Sequence, residues 1–216
     1  MHSKVFFKTY LPTPVDEKEV LRYAGWRGEL DEPTRARLNA CIRDNEDAFS
    51  CRVCYIVLPA QTLLDRWQDG GQLLFNRLKN AEYALIFAAT VGLEIDRRIL
   101  KAETSSPTDA LFLQALGAER IESVCDTFCA DMQKACKEKG YFVGKRFSAG
   151  YGDFPLEKQI DMFALLPCDK IGLTLNSSLL MSPSKSVTAI LPIGKEENCI
   201  HDGCNGCKKI DCQLRK

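Results

Sequence analysis

The chain has 216 residues, 45% hydrophobic and 27% charged, enough to bury a real core in one large domain or two small ones. Its 29 Lys and Arg balance 29 Asp and Glu, so no excess of positive charge is available to neutralise nucleic-acid phosphates. No apolar run reaches about 18 residues, so no helical membrane span is expected. The two-phenylalanine patch near the N-terminus is too short for a signal-peptide core, and the sequence reads as a cytoplasmic protein. Eleven cysteines in that compartment are read as thiols or metal ligands rather than disulfides.

In chain order, Thr13-Pro14 reads as the start of a first helix, with the hydroxyl as N-cap and proline at the first helical position, ending near Gly25. A second helix is expected over 32–48, where Leu38, Cys41 and Ile42 share a face. "CRVCYIVLP" at 51–59 is rich in β-branched and aromatic residues and reads as a strand. Gly70-Gly71 breaks the chain before a short helix, "QLLFNRLKN". The run at 82–92 reads as a buried strand over 84–90 with a turn at Gly92, followed by a helix over 94–102. Ser106-Pro107 with Asp109 is a strong helix start, and that helix is expected to reach Lys139, where Gly140 ends it. Its stripe runs through Ile121, Val124, Cys125, Phe128, Cys129 and Met132.

Past Gly140 the period changes. "YFVGKRF" is extended, "AGYGDFP" is a loop, and 156–166 is helical with Leu156, Ile160, Phe163 and Ala164 facing in. Ile171, Leu173 and Leu175 alternate, as do Val187, Ala189 and Leu191, so 170–176 and 186–193 read as antiparallel partners joined by "SSLLMSPSK". Strands and helices do not alternate regularly. The expected class is α+β: a single domain over 1–194 with a mainly antiparallel sheet, followed by a Cys-rich tail at 195–216.

The tail carries Cys199, Cys204, Cys207 and Cys212 at C-x4-C-x2-C-x4-C, with Gly203 and Gly206 letting the backbone wrap. Four thiolates suit a tetrahedral centre, and both a [4Fe–4S] cluster and a Zn²⁺ ion accept them. Zinc sites usually draw two pairs from separate knuckles, so one compact run favours iron–sulfur; His201 is a candidate to replace one thiolate. Cys51 and Cys54 form a C-x-x-C, but residues three apart in a strand point to opposite faces, which argues against a redox motif. Cys125, Cys129 and Cys136 fall at or near the stripe of the long helix, and Cys41 and Cys168 have no evident partner. The two histidines are terminal, and no Ser-His-Asp or Cys-His set can be assembled.

"RFSAGYG" at 146–152 is neither a phosphate-binding loop nor a dinucleotide fingerprint. Read from its residues alone it is either a strand-to-loop turn with a surface arginine or a ligand loop. In the second case small residues admit close backbone approach, Arg146 pairs a carboxylate and Tyr151 offers an aromatic face.

Arg146, three residues, then Gly150-Tyr151 and the helix entry "DFPLEK" resemble the S-adenosylmethionine-binding motif of the activation domain of cobalamin-dependent methionine synthase. "IFAATVGLEIDRRI", "LFLQALGAERIESVCDTF" and the Pro183-Ser184-Lys185 turn between strands are also similar to that family, over roughly residues 80–194. The resemblance implies a bent antiparallel sheet flanked by helices. It implies S-adenosylmethionine as ligand, Arg146 on its carboxylate, and Ser148, Gly150 and Tyr151 touching it mostly through backbone. It also implies the activity: reductive methylation of cobalamin, in which favourable methyl transfer draws an uphill one-electron reduction forward, by positioning rather than acid–base work. The family's acidic residue six positions before the arginine falls at Gly140, and a family tyrosine falls at Leu179. With no homocysteine, folate or cobalamin module in the chain, the expected partner is a separate corrinoid methyltransferase, served by an electron donor protein. The competing expectation is a metal-binding interaction module that has kept the fold and lost the ligand.

Overall fold

The computed structural model describes residues 4–195; the four tail cysteines and His201 lie outside them. Five strands form one sheet: β1 (Val5–Tyr10), β2 (Cys51–Pro59), β3 (Tyr83–Thr90), β4 (Phe142–Val143) and β7 (Ser186–Gly194), in the order β1-β2-β3-β7-β4. Every neighbouring pair is antiparallel. A separate hairpin joins β5 (Thr174–Leu175) to β6 (Met181–Ser182).

Helices cover both faces of the sheet. On one face lie α1 (Glu17–Tyr23), α2 (Glu32–Arg43), α5 (Glu94–Glu103) and α6 (Pro107–Lys137), whose buried residues share a core with Val53, Leu85, Phe87 and Leu191. On the other lie α3 (Ala60–Arg66), α4 (Gly71–Leu78) and α7 (Lys158–Leu165), packed with Cys54, Ile56, Ile86 and Ile190. This explains the unbroken apolar run of β3: with both faces covered, a strand has no solvent side on which to alternate, and seven of its eight residues are buried. Cys51 and Cys54 fall in opposite cores, as their spacing requires. The α+β class with an antiparallel sheet flanked by helices is therefore the observed one. No helix of the described residues is long and apolar enough to cross a membrane.

The 31-residue α6 is capped as its sequence demands: the Ser106 hydroxyl accepts from Asp109 N–H, and Pro107 takes the first helical position. At about 1.5 Å per residue it spans roughly 46 Å and crosses the width of the sheet. The Pro183-Ser184-Lys185 turn is fastened to two helices. Ser184 donates through N–H and hydroxyl to Asp96 of α5 at 2.6 and 2.7 Å, and Lys185 donates to Gln114 of α6 at 2.6 Å. The Lys185 stem lies against Gly117, where a Cβ would come within 3.0 Å of it.

Several expectations are corrected. The first helix is capped by Asp16, which accepts from Lys18 and Glu19, rather than by Thr13. The carbonyls of Thr13 and Pro14 instead accept from Arg120, which holds that segment against α6. The second helix stops at Arg43, because Asn45 turns back onto the Cys41 carbonyl, and only a short 3-10 turn follows at Glu46–Ala48. β1 and α3 were not legible in the sequence. As an edge strand, β1 has no clean buried alternation.

The segments 170–176 and 186–193 are not partners. β7 lies between β3 and β4, while the first segment is a 3-10 turn at Cys168–Ile171 followed by β5, which pairs only with β6. α7 is rotated from expectation: Gln159 and Met162 are buried, whereas Leu156 and Ile160 are 42% and 55% exposed. Polar anchors set that rotation. Asp161 accepts from Trp67 Nε1 at 2.9 Å and Arg66 at 3.2 Å, and Lys158 reaches Asp69 at 2.6 Å.

Candidate functional site

The arginine loop begins where the chain leaves β4. Phe147 exchanges both backbone hydrogen bonds with Ile190 of β7, at 3.1 and 2.8 Å, and turns its ring into the α7-side core. Arg146, one residue earlier, therefore points to the opposite face, toward α6. There its guanidinium meets two carboxylates one helical turn apart, Glu122 in a close ion pair and Asp126 at 3.3 Å. The side chain retains 24% of its exposure, so it sits in the wall of the protein with one side open. Burial raises the nearby thiols Cys125 and Cys129, the latter to about 11, which keeps both protonated and neutral.

The loop after Arg146 is held rigidly. Gly150 N–H donates to the Phe154 carbonyl at 2.9 Å, Tyr151 N–H to Ser148 at 3.3 Å, and Phe154 N–H to Tyr151 at 3.0 Å. Gly150 takes φ +87°, a left-handed conformation that a side chain resists. Phe154 is buried between Trp67 and Phe147, at ring distances of 5.8 and 5.9 Å. Asp153 reaches out of the loop to the first turn of α4 and accepts from Gln72 and Leu73 N–H at 2.7 and 2.9 Å. Those two bonds, Leu73 first, hold the Asp153 carboxyl below its ordinary pKa. Gly71 is needed for this approach, since a Cβ there would lie 2.5 Å from the Asp153 carbonyl oxygen.

The four expected ligand residues thus lie along one segment, with Arg146 turned toward α6 and the turn from Gly150 to Phe154 fastened to α4 through Asp153. Arg146 is oriented by Glu122 and Asp126, Tyr151 is 51% exposed, and Ser148 and Gly150 shape the turn. The N–H groups of Gly150 and Tyr151 are spent within the loop, on the carbonyls of Phe154 and Ser148. Glu122, Asp126 and Asp153 were missed in the sequence reading. The first two had a signal in their i, i+4 spacing on a helix already recognised, whereas Asp153 capping a helix 80 positions earlier had none.

The two departures have local explanations. Gly140 takes φ +74° just past the end of α6, where Tyr141 N–H closes back onto Cys136 at 3.0 Å, so it is the helix terminator. Leu179 takes φ +61° in the turn between β5 and β6, where Asn176 accepts from Ser178 and Leu180 N–H through its side chain. Two concavities lie away from the loop. One is a groove of about 340 Å³ beside Arg37, Cys41 and Asp109; the other is a hollow of about 10 Å³ beside Tyr10, Cys51 and Arg120.

No protein-family model matches the chain, and no curated protein matches it. Among solved structures the fold is similar to the MetH reactivation domain bound to AdoHcy, with a TM-score of 0.65 and 17% identity, covering 88% of this chain and 78% of that one. At that identity the likeness establishes the fold.

Proposed function

We propose that the chain binds S-adenosylmethionine at the Arg146 loop and serves in the reductive methylation of cobalamin carried by a separate corrinoid methyltransferase. The observation that carries this reading is a rigid Gly-Tyr loop opened by a half-buried, carboxylate-oriented arginine, on a fold shared with a domain solved with AdoHcy bound. The donor set fits the ligand. A guanidinium suits the methionine carboxylate, while Glu122 and Asp126 suit the ammonium and the positive sulfonium. The methyl group comes from the sulfonium, and an electron donor protein supplies the reducing equivalent. The residues of this chain bind and orient the donor and keep its charged end fixed, so no acid–base pair is required.

Calorimetric titration of S-adenosylmethionine into the full chain tests this. Saturable binding is expected, with Arg146→Ala weakening it at least ten-fold, about 1.4 kcal/mol or more, in line with loss of a charged hydrogen-bonded pair. No saturable binding, or binding untouched by the substitution, sinks the proposal.

A second reading is favoured by one observation: Arg146 already has carboxylate partners, so the loop stands complete without a ligand. The chain would then be a metal-binding interaction module. Both readings assign Cys199, Cys204, Cys207 and Cys212 to a metal centre, a [4Fe–4S] cluster that relays the electron in the first reading and a zinc or iron–sulfur staple in the second. Anaerobically purified protein is expected to carry iron with visible charge-transfer absorbance; zinc and no iron would remove the relay.

A further inference from the structure

Arg52, the second residue of β2, makes no ion pair and no hydrogen bond among the described residues, and its Nε is buried. Arg98, Arg120 and Arg146, whose side chains are 25%, 3% and 24% exposed, each sit on a carboxylate. A buried N–H without an acceptor is costly and calls for a partner.

The neighbours of Arg52 supply none. It lies two residues before Cys54 and so on the same, α7-side face of the sheet. Its cross-strand neighbours there are Thr9 of β1 and Thr90 of β3. Thr90 already accepts from Gly92 N–H at 3.1 Å and from the Ser186 hydroxyl at 2.9 Å, which occupies its lone pairs. Gly172, just past the 3-10 turn Cys168–Ile171, lies over the guanidinium with φ +73°: a Cβ there would stand 3.4, 3.7 and 3.8 Å from Nη2, Nη1 and Cζ. The turn thus covers one flat face of the guanidinium without accepting from it.

A second cation stands beside the first. Lys170, in the same turn, holds its Nζ 6.0 Å from the centre of the Phe7 ring, and Phe7 shares the Arg52 face because it pairs with Cys54. Lys170 has no ion pair, and the acid beside it, Asp169, pairs with neither cation. The exposed Thr9 hydroxyl is also unbonded. Two positive charges and a hydroxyl therefore border one stretch of β1.

We propose that Arg52 and Lys170 form a binding site for a phosphate group, with Thr9 as a neutral donor. A guanidinium offers phosphate two parallel N–H donors, and an ammonium adds a point charge. Two cations without a paired carboxylate match a phosphate dianion, whereas a carboxylate ligand neutralises only one of them. The Phe7 ring, 48% exposed, is the apolar surface beside the site on which the body of a phosphate ester would rest. The site is separate from Arg146, which points to the opposite face of the sheet.

The test follows amide chemical shifts of the isotope-labelled full chain as inorganic phosphate is added, with phenyl phosphate in a second arm and acetate and chloride at matched ionic strength as controls. Saturable shifts are expected at Thr9, Arg52 and Gly172 with phosphate, with affinity at least ten-fold weaker for acetate and no saturation with chloride. Tighter binding of phenyl phosphate supports the site as one for an organic phosphate; equal binding supports it as one for the free ion. Arg52→Gln is expected to lower phosphate affinity at least ten-fold and Lys170→Gln by a smaller factor, with the calorimetric affinity for S-adenosylmethionine unchanged in both. The proposal is overturned if chloride reproduces the shifts, or if acetate binds as well as phosphate. It is also overturned if Arg52→Gln leaves phosphate binding intact and removes that of S-adenosylmethionine. The wild-type titrations decide the matter even if a variant does not fold.

Discussion

Asp153 shows how much of the candidate loop depends on a single carboxylate. It replaces the missing side-chain cap of α4, whose own N-cap position is Gly70, and it accepts from two of the free N–H groups of that helix. Its pKa is depressed, so its contribution is fully present above the unfolded carboxylate value of about 3.9 and is lost as pH falls through the lower folded value. Asp153→Ala is expected to cost about 1 kcal/mol of stability at pH 7, within the range for loss of an N-cap. In urea titrations the gap between variant and wild type should be smaller at a pH well below the unfolded carboxylate value than at pH 7. A gap that is the same at both pH values would show that the residue acts through packing and not through its charge. The same substitution frees the tip of the loop, so it should weaken S-adenosylmethionine binding without touching Arg146.

At the scale of elements, legibility followed burial. β2, β3, α5 and α6 were read to within a few residues because their periodicity or caps are set by one face, or by both faces, lying in a core. β1 was missed because an edge strand with both faces half open carries no alternation, and α3 because it follows Pro59 with no side-chain cap to announce it. α7 was read with the wrong face inward. Its orientation is dictated by Asp161 and Lys158 reaching partners on the α3–α4 connection, and no local pattern records such pairs. For the site, Arg146, Ser148, Gly150 and Tyr151 were legible as one loop, while the carboxylates that orient the arginine were not.

Gly140 is the instructive case at this scale. Position in the motif marked it as a lost ligand residue; its left-handed backbone marks it as the end of α6. Gly140→Ala is therefore expected to lower stability by about 1 kcal/mol through the αL penalty, since a Cβ there meets nothing within 4 Å. Calorimetric affinity for S-adenosylmethionine should stay within two-fold of wild type. A large loss of affinity with unchanged melting would return the position to the site.

For the whole molecule, the long helix is the part to which the others are referred. α6 packs on the sheet and on α1, α2 and α5; it supplies the carboxylates of Arg146, anchors the Lys185 turn and receives Lys8 and Tyr10 of β1 at Asp131. Its most buried polar feature is the pair Glu119 and Arg120, at 5% and 3% side-chain exposure. Arg120 donates to Glu119 and to the carbonyls of Thr13 and Pro14, and Glu119 accepts from Asp16 N–H at 3.2 Å. The pair thus clamps the link between β1 and α1 onto the helix, and both of its charges have partners. Such a pair is a poor source of net stability, because desolvation offsets most of the attraction, but breaking it strands a buried charge. Arg120→Ala is expected to cost about 3–5 kcal/mol, whereas Arg37→Ala, which breaks the exposed, solvent-screened pair with Asp109, should cost far less. Arg120→Met with Glu119→Gln, which removes both charges, should recover more than half of the loss. Chemical denaturation of the four proteins measures this. Equal costs for the buried and exposed arginines would mean that the N-terminal link is held by its apolar contacts alone, and that the path from β1 into the α6 layer needs no polar clamp.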